Sequence, residues 1–161
     1  MVVAGGLPPV SLRLGAPRRS DPPRSRVASI LAWLLAVDLY LRTGPAVLVL
    51  VAIGYAAGLL YTAPPVQTTY RPFAGDWLGG FTGVTAAGLG AYYVQALTIS
   101  VTAILFAVAH ACVCVGMLLM HHYLDMDADS RARPQKRTTI VFLGPRIGKA
   151  YATSFAIAVV G

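Results

Sequence analysis

The chain has 161 residues, 57% of them hydrophobic, and a mean hydropathy of +0.66. Only 12% are charged, against the ~25% usual for a soluble domain, and the apolar residues come in runs, so composition argues against a soluble core. The net charge of +7 would suggest nucleic acid in a soluble protein. Here the bases cluster in polar segments between apolar runs, where the positive-inside rule accounts for them and no nucleic-acid partner is expected.

Residues 1–26 carry five arginines against one aspartate, and five prolines. They read as a disordered basic segment without the apolar run of a secretory signal. Residues 27–161 read as an all-α, multi-spanning transmembrane helical bundle built from about five apolar segments. The first runs from about Val27 to Leu41 and the second from Pro45 to Leu60, separated by Arg42-Thr43-Gly44. Asp38 lies inside the first, where a bare carboxylate in lipid is costly, so it is expected to face protein or water. The polar loop Tyr61 to Asp76 follows, stiffened by Pro64, Pro65 and Pro72. In it Arg71 has the planar fork that matches phosphate oxygens. Tyr61 and Tyr70 suit either an aromatic ring or the headgroup belt.

The third segment, about Trp77 to Tyr93, is Gly-rich and holds the pair Gly79 and Gly83. Such small residues let helices approach closely, within one bundle or across a dimer. The fourth, about Val94 to Met120, is expected to bury His110 and carries Cys112 and Cys114. Their spacing of two points them to different faces of a helix, against a disulfide or a metal pair.

The polar stretch 121–149 holds three of the six acids and six of the thirteen bases. Asp125 and Asp129 are four apart, so on a helix they share one face and can grip one cation beside a diphosphate. The competing reading is a solvated helix end whose acids balance the arginines that follow. A calcium loop would need Gly and Glu where Ser130 and Lys136 stand. His121 and His122, adjacent on a helix, point about 100° apart and do not form a two-histidine metal site.

The last apolar stretch, Ala150 to Gly161, has only twelve residues, short of the ~17 a span needs. This leads to the expectation that the chain is a piece of a longer protein. The basic segment 1–26, the loop 61–76 and the stretch 121–149 should share one side of the membrane, the cytoplasmic one, with Arg42 on the other.

Four motifs, Y-T-A-P-P from Tyr61, Y-R-P-x-x-G-D from Tyr70, H-H-Y-L-D-x-D-x-D from His121 and K-R-T-T-I-V-x-L-G from Lys136, together resemble those of the UbiA superfamily of intramembrane prenyltransferases. The resemblance runs from about Leu41 onward. It is nearest the branch that prenylates 1,4-dihydroxy-2-naphthoate in menaquinone biosynthesis, whose loops read Y-R-G-x-G-E and N-N-x-R-D-x-x-x-D. It implies that Asp125 and Asp129 are catalytic and bind Mg²⁺ with the prenyl diphosphate. It further implies that Tyr70, Arg71, Lys136 and Arg137 bind the diphosphate and the aromatic acceptor, in a bacterial cytoplasmic membrane. Asp76 stands where Glu is usual, and His121-His122 where Asn-Asn is usual. The family's first aspartate motif, N-D-x-x-D, has no counterpart, since only Asp21 and Asp38 precede Tyr61. The isolated chain, a partial bundle of the UbiA type, is therefore expected to show little turnover. The alternative is a small non-catalytic membrane protein with a structural or assembly role.

Overall fold

The computed structural model describes residues 22–133 and 135–160, and among them every regular element is helical. The basic tail lies outside the described residues up to position 21; from Pro22 it is already helix. Proline suits that first turn because the amide it lacks has no partner there anyway. Helix α1 spans Pro22–Thr43 and α2 spans Ala46–Thr62. A short 3₁₀ turn, Thr68–Tyr70, and a π-helical segment, Gly75–Phe81, lead into α3, Thr82–Ala96. Helix α4 spans Val101–Leu124, α5 Met126–Arg131 and α6 Thr139–Val160.

The third and fourth segments separate at residues 97–100, not at position 93. Leu97 turns the chain with a φ of 54°, and the Ser100 hydroxyl caps α4 by accepting from the Ala103 amide at 3.1 Å. The stretch expected to be a polar loop is largely helical as well. Helix α4 continues to Leu124, α5 follows at once, and α6 starts eleven residues before the last apolar run.

The main helix contacts follow chain order: α1 on α2, α2 on α3, α3 on α4, and α4 on α6. The buried face of α4 is a stripe at four-residue spacing, Ala103, Ala107, Ala111, Val115 and Leu119, ending on His122. Its upper part is small, so α3 can approach: Gly88 faces Ala107. Its lower part is larger and forms a core with Ile140, Ala152 and Phe155 of α6. Gly83 faces Ala57 and Gly54 faces Ala86, so the glycines join helices inside the bundle. Both cysteines are free, and Cys112 packs against the core. His110 is exposed on α4, contrary to expectation, with its Nε2 3.7 Å from Cys114 Sγ. The burial stripe passes through Ala107 and Ala111 and leaves position 110 on the outer face.

Large apolar side chains cover the outside, among them Leu31, Leu34, Leu35, Leu105, Phe106, Met117 and Ile157. Lipid accommodates such a surface and water does not. By length and composition, one helix among the described residues, Val101–Leu124, is apolar enough to cross a bilayer, and the apolar α2 is shorter at 17 residues. Asp38 is half-exposed and pairs with Arg42 one turn away, Nε donating to Oδ1 at 3.1 Å and Oδ2 at 3.0 Å. Its charge is thus met on its own helix.

The two ends of the bundle are fixed by two contacts. The Tyr93 hydroxyl donates to the Thr43 carbonyl at 3.0 Å, which joins the α1–α2 and α3–α4 turns. The Thr139 hydroxyl donates to Asp76, which joins the loop after α2 to the start of α6 at the other end. Arg42 therefore lies at the end of the bundle away from both site loops.

Helix α6 is bent at Gly144-Pro145, where Gly144 has φ 76° and ψ 172°. That combination of positive φ and extended ψ is essentially confined to glycine, and an L-residue held there costs ~1–3 kcal/mol. Gly144→Ala, with open space for its Cβ, is expected to lower thermal stability by about that amount. A melt of the detergent-purified protein measures it, and an unchanged midpoint would contradict the strain argument.

Candidate active site

The loop end gathers most of the chain's polar chemistry. Asp125 closes α4 and opens α5, with φ −90° and ψ 3°, so the two aspartates do not sit in one continuous helix. The one-turn spacing survives in the backbone, where the Asp129 amide donates to the Asp125 carbonyl at 2.8 Å. The side chains part company: Asp125 is exposed and Asp129 is 8% exposed. Asp129 Oδ1 lies 3.3 Å from Lys136 Nζ, and the Lys136 amide donates to the Asp129 carbonyl at 3.2 Å. Asp129 Oδ2 is buried without a partner among the described residues. Asp127 faces solvent, 3.8 Å from Arg131 across an exposed pair that contributes little to stability.

The two histidines diverge as their 100° offset requires. His121 is exposed, with Nδ1 2.8 Å from the Met117 carbonyl. His122 is buried, its Nδ1 also lacks a partner among the described residues, and it lies in the field of Lys136, Asp129 and Asp125.

The first loop supplies the other wall. Tyr70 is half-buried at the end of the 3₁₀ turn, and Arg71 is exposed just after it. Asp76 is buried at 1% exposure and accepts the Thr139 hydroxyl. Burial pushes its carboxyl above the ordinary carboxylate range, and the Thr139 hydrogen bond opposes that shift. Thr139 Oγ1 in turn accepts the Phe73 amide at 2.8 Å. Phe73 packs edge-on against Phe142 at 6.1 Å and Tyr151 at 5.7 Å. The Trp77 indole donates to the Tyr151 hydroxyl at 3.0 Å. Arg137 is exposed, with its guanidinium 6.0 Å from the Phe142 ring centre. Arg137 thus borders this aromatic cluster, and Arg71 lies two residues before Phe73 in the chain.

An open apolar groove of about 370 Å³ is lined by Gly54, Gly58, Tyr61, Gly79, Gly80, Gly83, Val84 and Leu118. A larger groove of about 620 Å³ between α1, α2 and α3 reaches Leu39, Val47 and Gln95 near the opposite end and touches no site residue.

The structure therefore brings Asp129 and Lys136 into contact, leaves Arg71 and Arg137 exposed, and leaves Asp125 exposed with no side-chain pair among the described residues. Among the described residues, no three His, Cys, Asp or Glu side chains converge as a metal cluster. The fit to Mg²⁺ rests instead on the unpartnered Asp129 oxygen with Asp125 nearby in sequence. That suits an ion that takes one or two protein carboxylates and fills its shell with water and phosphate oxygens. Thr139 and the buried state of His122 were not legible from spacing. Thr139 stands in the K-R-T-T motif, and Asp76 is an acid directly before an apolar run, so each carried a signal without a partner.

A family model described as the UbiA prenyltransferase family matches residues 20–161. Comparison with curated proteins and with solved structures finds no match.

Proposed function

The chain belongs to the UbiA prenyltransferase family, whose members are integral membrane proteins, and we propose that its loop end binds Mg²⁺ and a prenyl diphosphate for transfer of the prenyl group to an aromatic acceptor. The acceptor we propose is a dihydroxynaphthoate, in the making of menaquinone, with the loop end on the cytoplasmic face of a bacterial membrane. The observation that carries this reading is the buried Asp129 oxygen, without a partner among the described residues, beside Lys136.

Asp129 and Asp125 would hold the metal. When bound, Mg²⁺ offsets charge on the departing diphosphate, the usual role of a divalent ion in such a departure. Arg71 and Arg137 are exposed and free to meet phosphate oxygens. Lys136 is tied to Asp129 and becomes available to phosphate once that carboxylate is engaged elsewhere. The groove lined by Tyr61, Gly79 and Gly83 offers an apolar wall for the isoprenoid tail. Half-buried Tyr70, at the end of the 3₁₀ turn, would meet the acceptor ring. Only one aspartate motif is present in these residues, so we propose that this chain alone binds diphosphate but turns over slowly.

A second reading has its own support. Asp129 on Lys136 and Asp127 on Arg131 are the contacts expected of acids that simply balance a basic segment in a non-catalytic membrane protein. Titration of the purified chain with inorganic pyrophosphate, with and without Mg²⁺, separates the two. Mg²⁺-dependent saturable binding is the expected result, with low but Mg²⁺-dependent product from prenyl diphosphate and dihydroxynaphthoate in membranes. Absence of both binding and product would leave the non-catalytic reading.

A further inference from the structure

We infer that Thr139 is a positioning residue, whose hydroxyl fastens the loop carrying Tyr70 and Arg71 to the segment carrying Lys136 and Arg137 so that both present their charge to one diphosphate. The inference rests on the diphosphate reading above and adds the device that assembles that site. A single oxygen does two jobs. Thr139 Oγ1 donates to Asp76 Oδ2 and accepts from the Phe73 amide at 2.8 Å. Both Thr139 and Asp76 are 1% exposed, so neither bond competes with water. Replacing the hydroxyl would leave a buried carboxylate and a loop amide without partners.

The loop needs such a fastening. Phe73 has φ 61°, a left-handed conformation that bulky residues rarely adopt. Nothing intrinsic to the residue holds it there. What holds it is the bond from its amide to Thr139, together with its ring against Phe142 and Tyr151 of α6. Arg71 lies two residues before Phe73, and Arg137 two residues before Thr139. Releasing the bond therefore releases the first cation with respect to the second. A pair of cations gains affinity for one diphosphate only while their separation is held.

The test uses the full chain in detergent or nanodiscs, with Mg²⁺ and inorganic pyrophosphate as probe. Thr139→Val keeps the branched shape and removes both bonds. It is expected to weaken pyrophosphate binding roughly tenfold, the size of one net hydrogen bond, and to speed hydrogen exchange at the Phe73 amide. Thr139→Ser, which keeps the hydroxyl, is expected to restore both. Asp76→Asn keeps an acceptor but loses the charge, so it should give intermediate values, and it serves if Thr139→Val does not fold. Faster exchange at Phe73 with native pyrophosphate affinity in either variant would overturn the positioning role, because a purely structural bond would move exchange and not affinity. A native chain that fails to bind pyrophosphate would overturn the diphosphate reading itself, and this inference with it.

Discussion

Asp129→Ala should abolish Mg²⁺-dependent pyrophosphate binding, with a loss of about 100-fold or more, and should also lower stability. Two consequences follow from one side chain. Its Oδ2 is a buried acceptor without a partner among the described residues, and its Oδ1 holds Lys136 at 3.3 Å. Lys136 keeps 24% of its side-chain exposure, so removing the carboxylate leaves a half-buried lysine without this partner, at a cost of about 1 kcal/mol. The loss should exceed the ~10–100-fold that removal of an outer-shell partner of a metal costs, because Asp129 would hold the ion directly. Asp125→Ala separates the two effects. Asp125 is exposed and makes no side-chain pair among the described residues, so it should weaken binding while leaving the melting midpoint nearly unchanged. Calorimetric titration and a thermal melt on the same preparations give both quantities. Native-like Mg²⁺-dependent binding in Asp129→Ala would remove the metal reading and leave the acids as counterions of a basic segment.

The contrast between those aspartates marks where the sequence stops being informative. Their spacing was legible, and the backbone honours it with the Asp129 amide on the Asp125 carbonyl. Which of them is buried was not, because that depends on α5 turning back toward α6 and on a lysine seven residues on. The order of apolar segments and the sharing of one end by the two loops were legible from hydropathy and charge. The α3–α4 boundary was not, since Leu97-Thr98-Ile99-Ser100 contains no charge and no glycine, and Leu97 takes the left-handed turn itself. The helical character of 121–131 was hidden by its polarity. Charged residues at a helix end look the same in composition as charged residues in a loop. His110 illustrates the limit from the other side: an apolar neighbourhood in sequence did not predict burial, because the four-residue stripe of α4 passes it by.

Gly79→Val should prevent normal folding of the loop end, and Tyr61 is the reason. A Cβ at position 79 would lie 2.3 Å from Tyr61 Cδ2 and 3.1 Å from its Cγ. These are ring atoms close to the backbone, not the far end of a flexible chain, so the tyrosine cannot swing clear without moving α2. Overpacking of this kind typically costs ~1–3 kcal/mol. The cost should reach the upper end here, because the π-helical segment carrying Gly79 is anchored at Asp76 by Thr139 and at Trp77 by Tyr151. The segment cannot slide away without breaking those bonds. Gly79→Ala should be milder but still destabilising, and adding Tyr61→Ala should recover much of that loss. The double-mutant cycle is decisive because the two residues are in direct contact. A coupling energy above about 1 kcal/mol between positions 61 and 79, read from melts or from the yield of folded monomer, is the expected outcome. Additive effects would mean that the groove under the loops is looser than the Tyr61–Gly79 contact implies, and its walls would then be too mobile to hold an isoprenoid tail in one register.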